Sequence, residues 1–216
     1  MSWPINNFSY VADLAWQHLA LSVPAIILSV LIAIPIGRYA FQYPRIGGPL
    51  LSATTLLYAI PALPLLILVP FIVGTELRSP ATMIIALTIY GVALMVRTSA
   101  DAFSSIDPAT RDAAIAVGNS PRSLLWKVDL PLAIPVLVSG VRVVTVSTLA
   151  LVTIGALIGI PSLGSLLTDG FQRNIPAEVL TGIAATMILA LLLDGIVLAI
   201  GKLLTPWTWR RPRQEA

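Results

Sequence analysis

Five long apolar stretches constrain the fold of this chain more than any other feature. Each is close to or longer than the ~20 residues that an α-helix needs to cross a lipid bilayer. Of the 216 residues, 57% are hydrophobic and only 11% are charged, whereas soluble domains carry about 25% charged residues. The sequence therefore predicts an all-α, polytopic membrane protein with five transmembrane helices, at about residues 18–37, 48–74, 80–98, 132–160 and 178–204.

The basic residues predict how these helices are oriented. Eleven of the 13 Lys and Arg residues fall at one set of helix ends, which leaves Arg78 and Arg173 at the other. Because basic loops stay in the cytoplasm, we expect an external N-terminus and a cytoplasmic C-terminus in the cell (cytoplasmic or inner) membrane. We expect His18 to be interfacial. The predicted order is an external interfacial segment (1–17), one transmembrane domain (18–204) and a basic cytoplasmic tail (205–216).

The longest polar interval, residues 104–130, separates the third and fourth apolar stretches; we call it the polar loop. Asp107 followed by Pro108 has the form of a helix N-cap and first turn, and Ser120 followed by Pro121 repeats it. Gly118 lies where a left-handed C-cap would end the first helix. The loop is therefore predicted to form two short helices joined at a glycine, over residues 109–117 and 122–128, and Pro131 then marks the return to apolar sequence.

The loop also carries a spaced motif: Asp112-Ala113-Ala114, then Gly118, then Val128-Asp129-Leu130-Pro131. It resembles the permease loop of bacterial ABC importers, Glu-Ala-Ala, three residues, Gly, nine residues, Ile-any-Leu-Pro, with Asp112 and Val128 as conservative departures. The resemblance implies a type I ABC importer fold in which this coupling loop inserts into a groove on the ATP-binding subunit and transmits its closure to the membrane helices. The residues assigned to coupling are Arg111, Asp112, Ala113, Ala114, Gly118, Arg122, Val128, Leu130 and Pro131.

The physical character of the loop is consistent with docking. Ala113 and Ala114 would let a partner surface approach the backbone, and Arg111, Arg122 and Lys127 offer charge-assisted contacts. A solvated loop without a partner is the plainer interpretation, and a DNA-binding helix-turn-helix also places two helices about a glycine. Because the loop is confined between two membrane spans, we expect no nucleic-acid partner.

Further motifs resemble permeases of the osmoprotectant group over about residues 17–202. They are Gln17-His18-Leu19, Pro35-Ile36-Gly37, Ile60-Pro61-Ala62-Leu63 and Ala156-Leu157-Ile158-Gly159 through Leu163-Gly164. This resemblance implies import of quaternary ammonium compounds such as glycine betaine, choline or carnitine. Methionine-importer permeases share the five-span plan and the loop, so an amino-acid permease is an alternative.

The resemblance also implies a set of partners. They are an ATP-binding cassette subunit, a second permease chain that is identical or related, and an external substrate-binding protein. ATP and magnesium would bind the ATPase subunit, so we expect no cofactor in this chain. With no Cys and one His, neither a thiolate nor a histidine-rich metal site is expected. Absence of H-E-x-x-H and G-x-S-x-G sequences predicts a non-catalytic subunit.

Candidate residues for the translocation path or gate lie inside the apolar stretches. The cluster around Pro61 and Pro64 predicts a bent or unwound second helix, and Gly155 and Gly159 have the spacing that allows close helix packing. Asp194 is costly within a bilayer unless it is paired, with Lys202 or nearby threonines as possible partners. The candidates are Pro61, Pro64, Thr148, Gly155, Gly159 and Asp194. An ion-gradient carrier that protonates Asp194, or a membrane scaffold without transport activity, are the other function classes.

Overall fold

The computed structural model describes residues 3–207, and within that range the chain is helical with no strand. A π-helical turn, Leu125–Asp129, precedes α8, and a 3-10 segment, Thr153–Ile158, follows it. The helices are α1 (Trp3–Asn6), α2 (Phe8–Gln42), α3 (Pro44–Tyr58), α4 (Ala62–Val73), α5 (Pro80–Ser104), α6 (Pro108–Ala116), α7 (Pro121–Leu124), α8 (Leu130–Val152), α9 (Gly164–Gln172) and α10 (Pro176–Leu204).

Contacts between the long helices give the direction of each crossing. Ser29 and Gly37 of α2 lie against Gly91 and Ser99 of α5 in the same order, so these two helices run the same way. Helix α8 runs opposite to both, since Asp129 at its start contacts Arg38 near the end of α2. Helix α10 runs opposite to α8, because Asp194 and Gly201 of α10 contact Arg142 and Val138 of α8 in reverse order. The polar loop therefore lies at the same end of the bundle as the C-terminal ends of α2, α5 and α10.

The second crossing is a broken helix. Helices α3 and α4 are bent by 109° at a short break, whereas α2, α5, α8 and α10 are each long and apolar enough to cross a membrane alone. Because α2 ends at the polar-loop end and α5 begins at the opposite end, the α3–α4 pair must carry the chain back between them. The structure thus confirms an all-α fold with four unbroken apolar helices and a fifth, broken one.

The break occurs at the proline cluster, as the sequence predicts. Pro61 is extended, with φ −62° and ψ 145°, and it precedes the first turn of α4. Since proline has no N–H to donate, it cannot continue α3 into α4. The Tyr90 hydroxyl on α5 donates to the carbonyl oxygen of Ile60. The packed body of the protein therefore holds the unwound segment in place.

Small residues bring α2 and α5 into close contact at the centre of the bundle. A Cβ on Gly91 would lie 2.6 Å from Cβ of Ser29, so no larger residue fits without a shift. Ala25 and Ala33, on the same face of α2 as Ser29, are fully buried. Two apolar clusters fill the core on either side of this contact, one around Met83, Leu87 and Val152 and the other around Met95, Phe103 and Leu137.

His18 lies inside the helix bundle and not on its surface. It is fully buried between α2 and α8, and its Nε2 lies 3.1 Å from the carbonyl oxygen of Leu149. A carbonyl only accepts, so Nε2 carries the proton and donates. The preceding segment is part of α2 or packs beside it, and Leu14 joins a buried cluster with Leu163 and Leu166. Most of the predicted basic tail (208–216) lies outside the described residues.

Candidate functional site

The polar loop begins with the two capped helices that its sequence predicts. The Asp107 carboxylate accepts a hydrogen bond from the backbone N–H of Ala109 at 3.0 Å, which caps α6. The Ser120 hydroxyl accepts from the N–H of Ser123 at 3.3 Å, which caps α7. Between the helices, Gly118 has φ +88°, a left-handed conformation that side-chain-bearing residues rarely adopt. A Cβ at Gly118 would meet nothing within 4 Å, so backbone conformation alone favours glycine there.

The second helix of the loop is not separate from the membrane helix that follows. Helix α7 continues through the π-turn into α8, and Pro131 lies inside this continuous helix. A proline within a helix crowds the preceding turn and removes one donor. Here the turn before Pro131 widens to a π-turn, in which the N–H of Leu130 donates to the carbonyl of Leu125. The helix therefore continues past the proline. Any movement of α7 therefore bears directly on α8.

A cluster of one buried carboxylate and two arginines holds the base of the loop in place. Asp129 is only 3% exposed, and its two carboxylate oxygens accept from two different arginines. Arg38 Nη1 of α2 donates to Oδ2 at 2.8 Å, and Arg111 Nε of α6 donates to Oδ1 at 2.7 Å. One carboxylate thus joins α2, α6 and the start of α8.

Aromatic rings and a carbonyl complete this cluster. Arg111 Nη2 also donates to the carbonyl of Phe103 at 2.6 Å, and its guanidinium lies 4.5 Å from the Phe41 ring centroid. The Arg38 guanidinium lies 5.2 Å from the Phe103 ring centroid. The guanidinium of Arg111, a residue that the resemblance assigns to coupling, is thus bonded within the chain. The loop is therefore fixed to α2, α5 and α8 together.

The opposite side of the loop is open. Asp112, Ala113, Gly118 and Arg122 are exposed and Ala114 is half-buried, whereas Val128, Leu130 and Pro131 are half-buried at the base. Apolar side chains also lie uncovered on this side: Val117 is 81% exposed, Trp126 61% and Ile115 55%. An uncovered mix of apolar and charged side chains on a firmly held loop is typical of a surface that binds another protein.

Asp194 has a partner that the sequence did not suggest. Arg142, near the middle of α8, donates from Nε and Nη2 to the two carboxylate oxygens of Asp194, both at 2.7 Å. This is the two-pronged geometry that arginine and carboxylate favour. The sequence places Arg142 with the basic residues at helix ends, but it lies inside a membrane helix, where the pairing neutralises both charges.

The other path candidates do not form one site. Pro61 and Pro64 lie exposed at the helix break, and Thr148 is buried in α8. Gly155 is buried, and a Cβ there would lie 3.2 Å from Cε of Met83, so it is a packing position against α5. Gly159 is exposed with φ +85° and ends the 3-10 segment, so it forms a turn. The two glycines therefore do not share a helix face.

The described residues contain no group of three or more His, Asp or Glu side chains that could hold a metal ion. The residues that organise the loop, Asp129 and Arg38, were not singled out from the sequence. Asp129 occupies the unspecified position of the Ile-any-Leu-Pro motif. The sequence feature that could have identified it is a carboxylate at the edge of an apolar stretch, which is costly unless it is paired. Its partner Arg38 is 91 residues away, which no local pattern indicates.

Relatives of known role match nearly the whole chain. The osmoprotectant import permease protein OsmW of Salmonella typhimurium is 30% identical over 206 residues, 94% of this chain and 95% of that protein. The carnitine transport permease protein OpuCD of Listeria monocytogenes is 27% identical over 213 residues, 98% of this chain and 94% of that protein. The glycine betaine/carnitine/choline transport system permease protein OpuCD of Bacillus subtilis is 27% identical over 202 residues, 93% and 87% respectively.

Solved structures share the fold. The inward-facing methionine ABC transporter MetNI matches with a TM-score of 0.81 at 21% identity, over 95% of this chain and all of that chain. An amino acid ABC transporter crystallised with histidines matches with a TM-score of 0.69 at 18% identity, over 96% of each chain. The profile of one family, "Binding-protein-dependent transport system inner membrane component", matches residues 29–210. With its five-crossing helical fold and its polar loop, this chain belongs to that family of multi-pass membrane permeases.

Proposed function

We propose that this chain is the permease subunit of an ATP-driven importer of osmoprotectants, quaternary ammonium compounds such as glycine betaine, choline or carnitine. The substrate class rests on the relatives, which carry those names and cover 93–98% of the chain. The structural observation that carries the proposal is the polar loop. It presents an uncovered surface on one side, and on the other Asp129 and Arg111 bond it to the membrane helices α2, α5 and α8.

The partners follow from this assignment. A separate ATP-binding cassette subunit, which holds ATP and magnesium, docks on the polar loop, and an external substrate-binding protein delivers substrate. This chain performs no catalysis. Because one chain supplies only five crossings, a second permease chain, identical or related, completes the path. The loop and the C-terminus face the cytoplasm, and the N-terminus faces outward.

The mechanism is alternating access. ATP binding closes the ATPase subunits, which draws the polar loops of the two permeases together. Because α7 is continuous with α8, and Arg111 and Arg38 tie α6 and α2 to Asp129, this movement reaches the membrane helices. The helices then open outward to accept substrate, and hydrolysis restores the inward-facing state.

The alternative functions fit less well. A carrier that protonates Asp194 needs a carboxylate free to exchange protons, whereas both its oxygens accept from Arg142. An amino-acid permease shares the fold, but the likeness to the methionine transporter concerns the fold alone at 21% identity.

Uptake into proteoliposomes tests the proposal. The chain is reconstituted with its ATPase subunit and binding protein, and entry of radiolabelled choline, glycine betaine, carnitine and methionine is measured. We expect uptake of at least one quaternary ammonium compound that requires ATP and survives collapse of the proton gradient by an ionophore. Uptake of methionine alone, or uptake abolished by the ionophore and indifferent to ATP, would overturn it.

A further inference from the structure

A pocket of ≈ 410 Å³ opens at the break between α3 and α4. Its wall combines the unwound segment with the faces of α5 and α8. Two tyrosine rings meet there edge to face, with the centroids of Tyr58 and Tyr90 5.9 Å apart. Tyr90 is 5% exposed and Tyr58 46% exposed, so one ring is fixed in the core and the other borders the opening. The residues that line the pocket include Tyr58, Ala59, Pro61, Tyr90, Ser147 and Ala150.

The helix break also leaves backbone carbonyl oxygens at this pocket without a hydrogen-bond donor. The carbonyl oxygens of Tyr58 and Ala59, at the C-terminal end of α3, accept no hydrogen bond from any described residue. The next turn cannot supply donors, because Pro61 has no N–H and the chain changes direction there. Helix C-terminal carbonyls carry partial negative charge. Within the described part of the chain, the Ser147 hydroxyl likewise has no hydrogen-bond partner.

No charged side chain lines this pocket. By contrast, the pocket of ≈ 310 Å³ near the polar loop includes Arg38, which repels cations. A pocket of ≈ 270 Å³ between α2, α8 and α10 is lined by aliphatic side chains alone. The pocket at the break is therefore lined by two tyrosine rings and by groups of partial negative charge, without a formal charge. That combination attracts a large, weakly hydrated cation through its ring quadrupoles.

We propose that the pocket formed by Tyr58, Tyr90 and the α3–α4 break is a binding site within the permease for the trimethylammonium group of the substrate. The site rests on the proposed function, since it supposes a quaternary ammonium cargo, and it adds a second point of selection beyond the binding protein. A site without a fixed carboxylate holds such a cation only loosely. Weak binding suits a site on a transport path, because the substrate must be released from it.

Protection of a single cysteine tests the site without the binding protein. The chain has no native Cys, so Ala150→Cys places one thiol of this chain in the pocket wall. The permease–ATPase complex is treated with N-ethylmaleimide, and modification of this chain is followed by mass spectrometry while choline is titrated. We expect choline to slow the modification, and its uncharged isostere 3,3-dimethylbutan-1-ol to protect at least three times less well. In the control Leu157→Cys, at an exposed position outside the pocket, the thiol should be unprotected.

Removal of one ring should weaken this protection. In Ala150→Cys with Tyr58→Leu, the choline concentration for half-protection should rise about three- to tenfold, as loss of one cation–π contact implies. Ala150→Cys with Tyr58→Phe keeps the ring, so its half-protection concentration should not change. Tyr43→Leu is the matched control, since Tyr43 is 52% exposed in another ring pair, with Tyr39. Equal protection by choline and its isostere, or no change in Tyr58→Leu, would overturn the site. If the wild-type importer still imports choline in those cases, the proposed function stands and only this site fails.

Discussion

Helix α8 carries charge at two places, and they differ in how they are held. At its base, Asp129 is 3% exposed and accepts from two arginines on α2 and α6. Near its middle, ~20 Å further along at 1.5 Å per residue, Arg142 pairs with Asp194 alone. The side chains of this second pair are 40% and 20% exposed. One carboxylate thus joins three elements, while the other neutralises one cation.

The difference indicates different roles for the two groups. The base cluster links a docking surface to the bundle, so its loss should loosen the connection between loop and helices. The mid-helix pair lets two charged residues reside within membrane helices and aligns α8 with α10. Three substitutions, ordered from the largest expected effect to the smallest, test this distinction.

Asp129→Asn should cause the largest loss. It leaves the half-buried Arg38 and Arg111 without a counter-charge, and removal of one partner from a buried pair costs about 3–5 kcal/mol. The free energy of unfolding of the detergent-purified complex should fall by that amount. Asp112→Asn, at an exposed position on the same loop, is the matched control and should stay within about 0.5 kcal/mol of wild type. Equal stability of the two variants would refute the claim that Asp129 holds the polar loop to the membrane helices.

Asp194→Asn should reduce the yield of folded, monodisperse protein after detergent extraction, because Arg142 is left unpaired inside a membrane helix. Exchange of the two residues, Arg142→Asp with Asp194→Arg, should recover most of the yield. Asp169→Asn serves as control, since Asp169 pairs with Arg173 on the exposed surface, with side chains 42% and 62% exposed. If the exchanged pair behaves no better than Asp194→Asn, the pair does not act by neutralisation.

Val117→Asp should have the smallest effect, confined to partner binding. Val117 is 81% exposed on the polar loop, so its replacement leaves the fold intact and places a charge on the proposed docking surface. Affinity for the ATPase subunit should fall about tenfold, which corresponds to ~1.4 kcal/mol. Phe171→Asp, at an 83% exposed position on α9, offers a control of similar exposure away from the loop. Equal losses of affinity in both variants would show that the polar loop is not the docking surface.

Features set by local chemistry were predictable from sequence. The caps at Asp107 and Ser120, the left-handed Gly118 and the break before α4 each follow from residues within one or two turns. The merger of α7 with α8 was missed, because Pro131 usually marks a helix start. A π-turn, which no residue type specifies, accommodates that proline here.

The long-range pairings could not be read from the sequence. Arg142 and Asp194 are 52 residues apart, and Arg111 and Asp129 are 18 apart across a turn. Periodicity identifies which helix face is apolar, but it does not identify which charged residue on another helix will lie opposite. For that reason no sequence pattern indicated that Arg111 and His18 are bonded within the bundle.

The most direct test of coupling through the polar loop is the number of substrate molecules imported per ATP hydrolysed. Gly118→Val forces a β-branched residue into φ +88°, at a cost of about 1–3 kcal/mol, so the loop should no longer present both helices. Asn tolerates this conformation, so Gly118→Asn is the control. We predict that the Gly118→Val importer remains inserted and hydrolyses ATP but imports little substrate, while Gly118→Asn keeps the wild-type ratio. A wild-type ratio for Gly118→Val would contradict the coupling role of this loop.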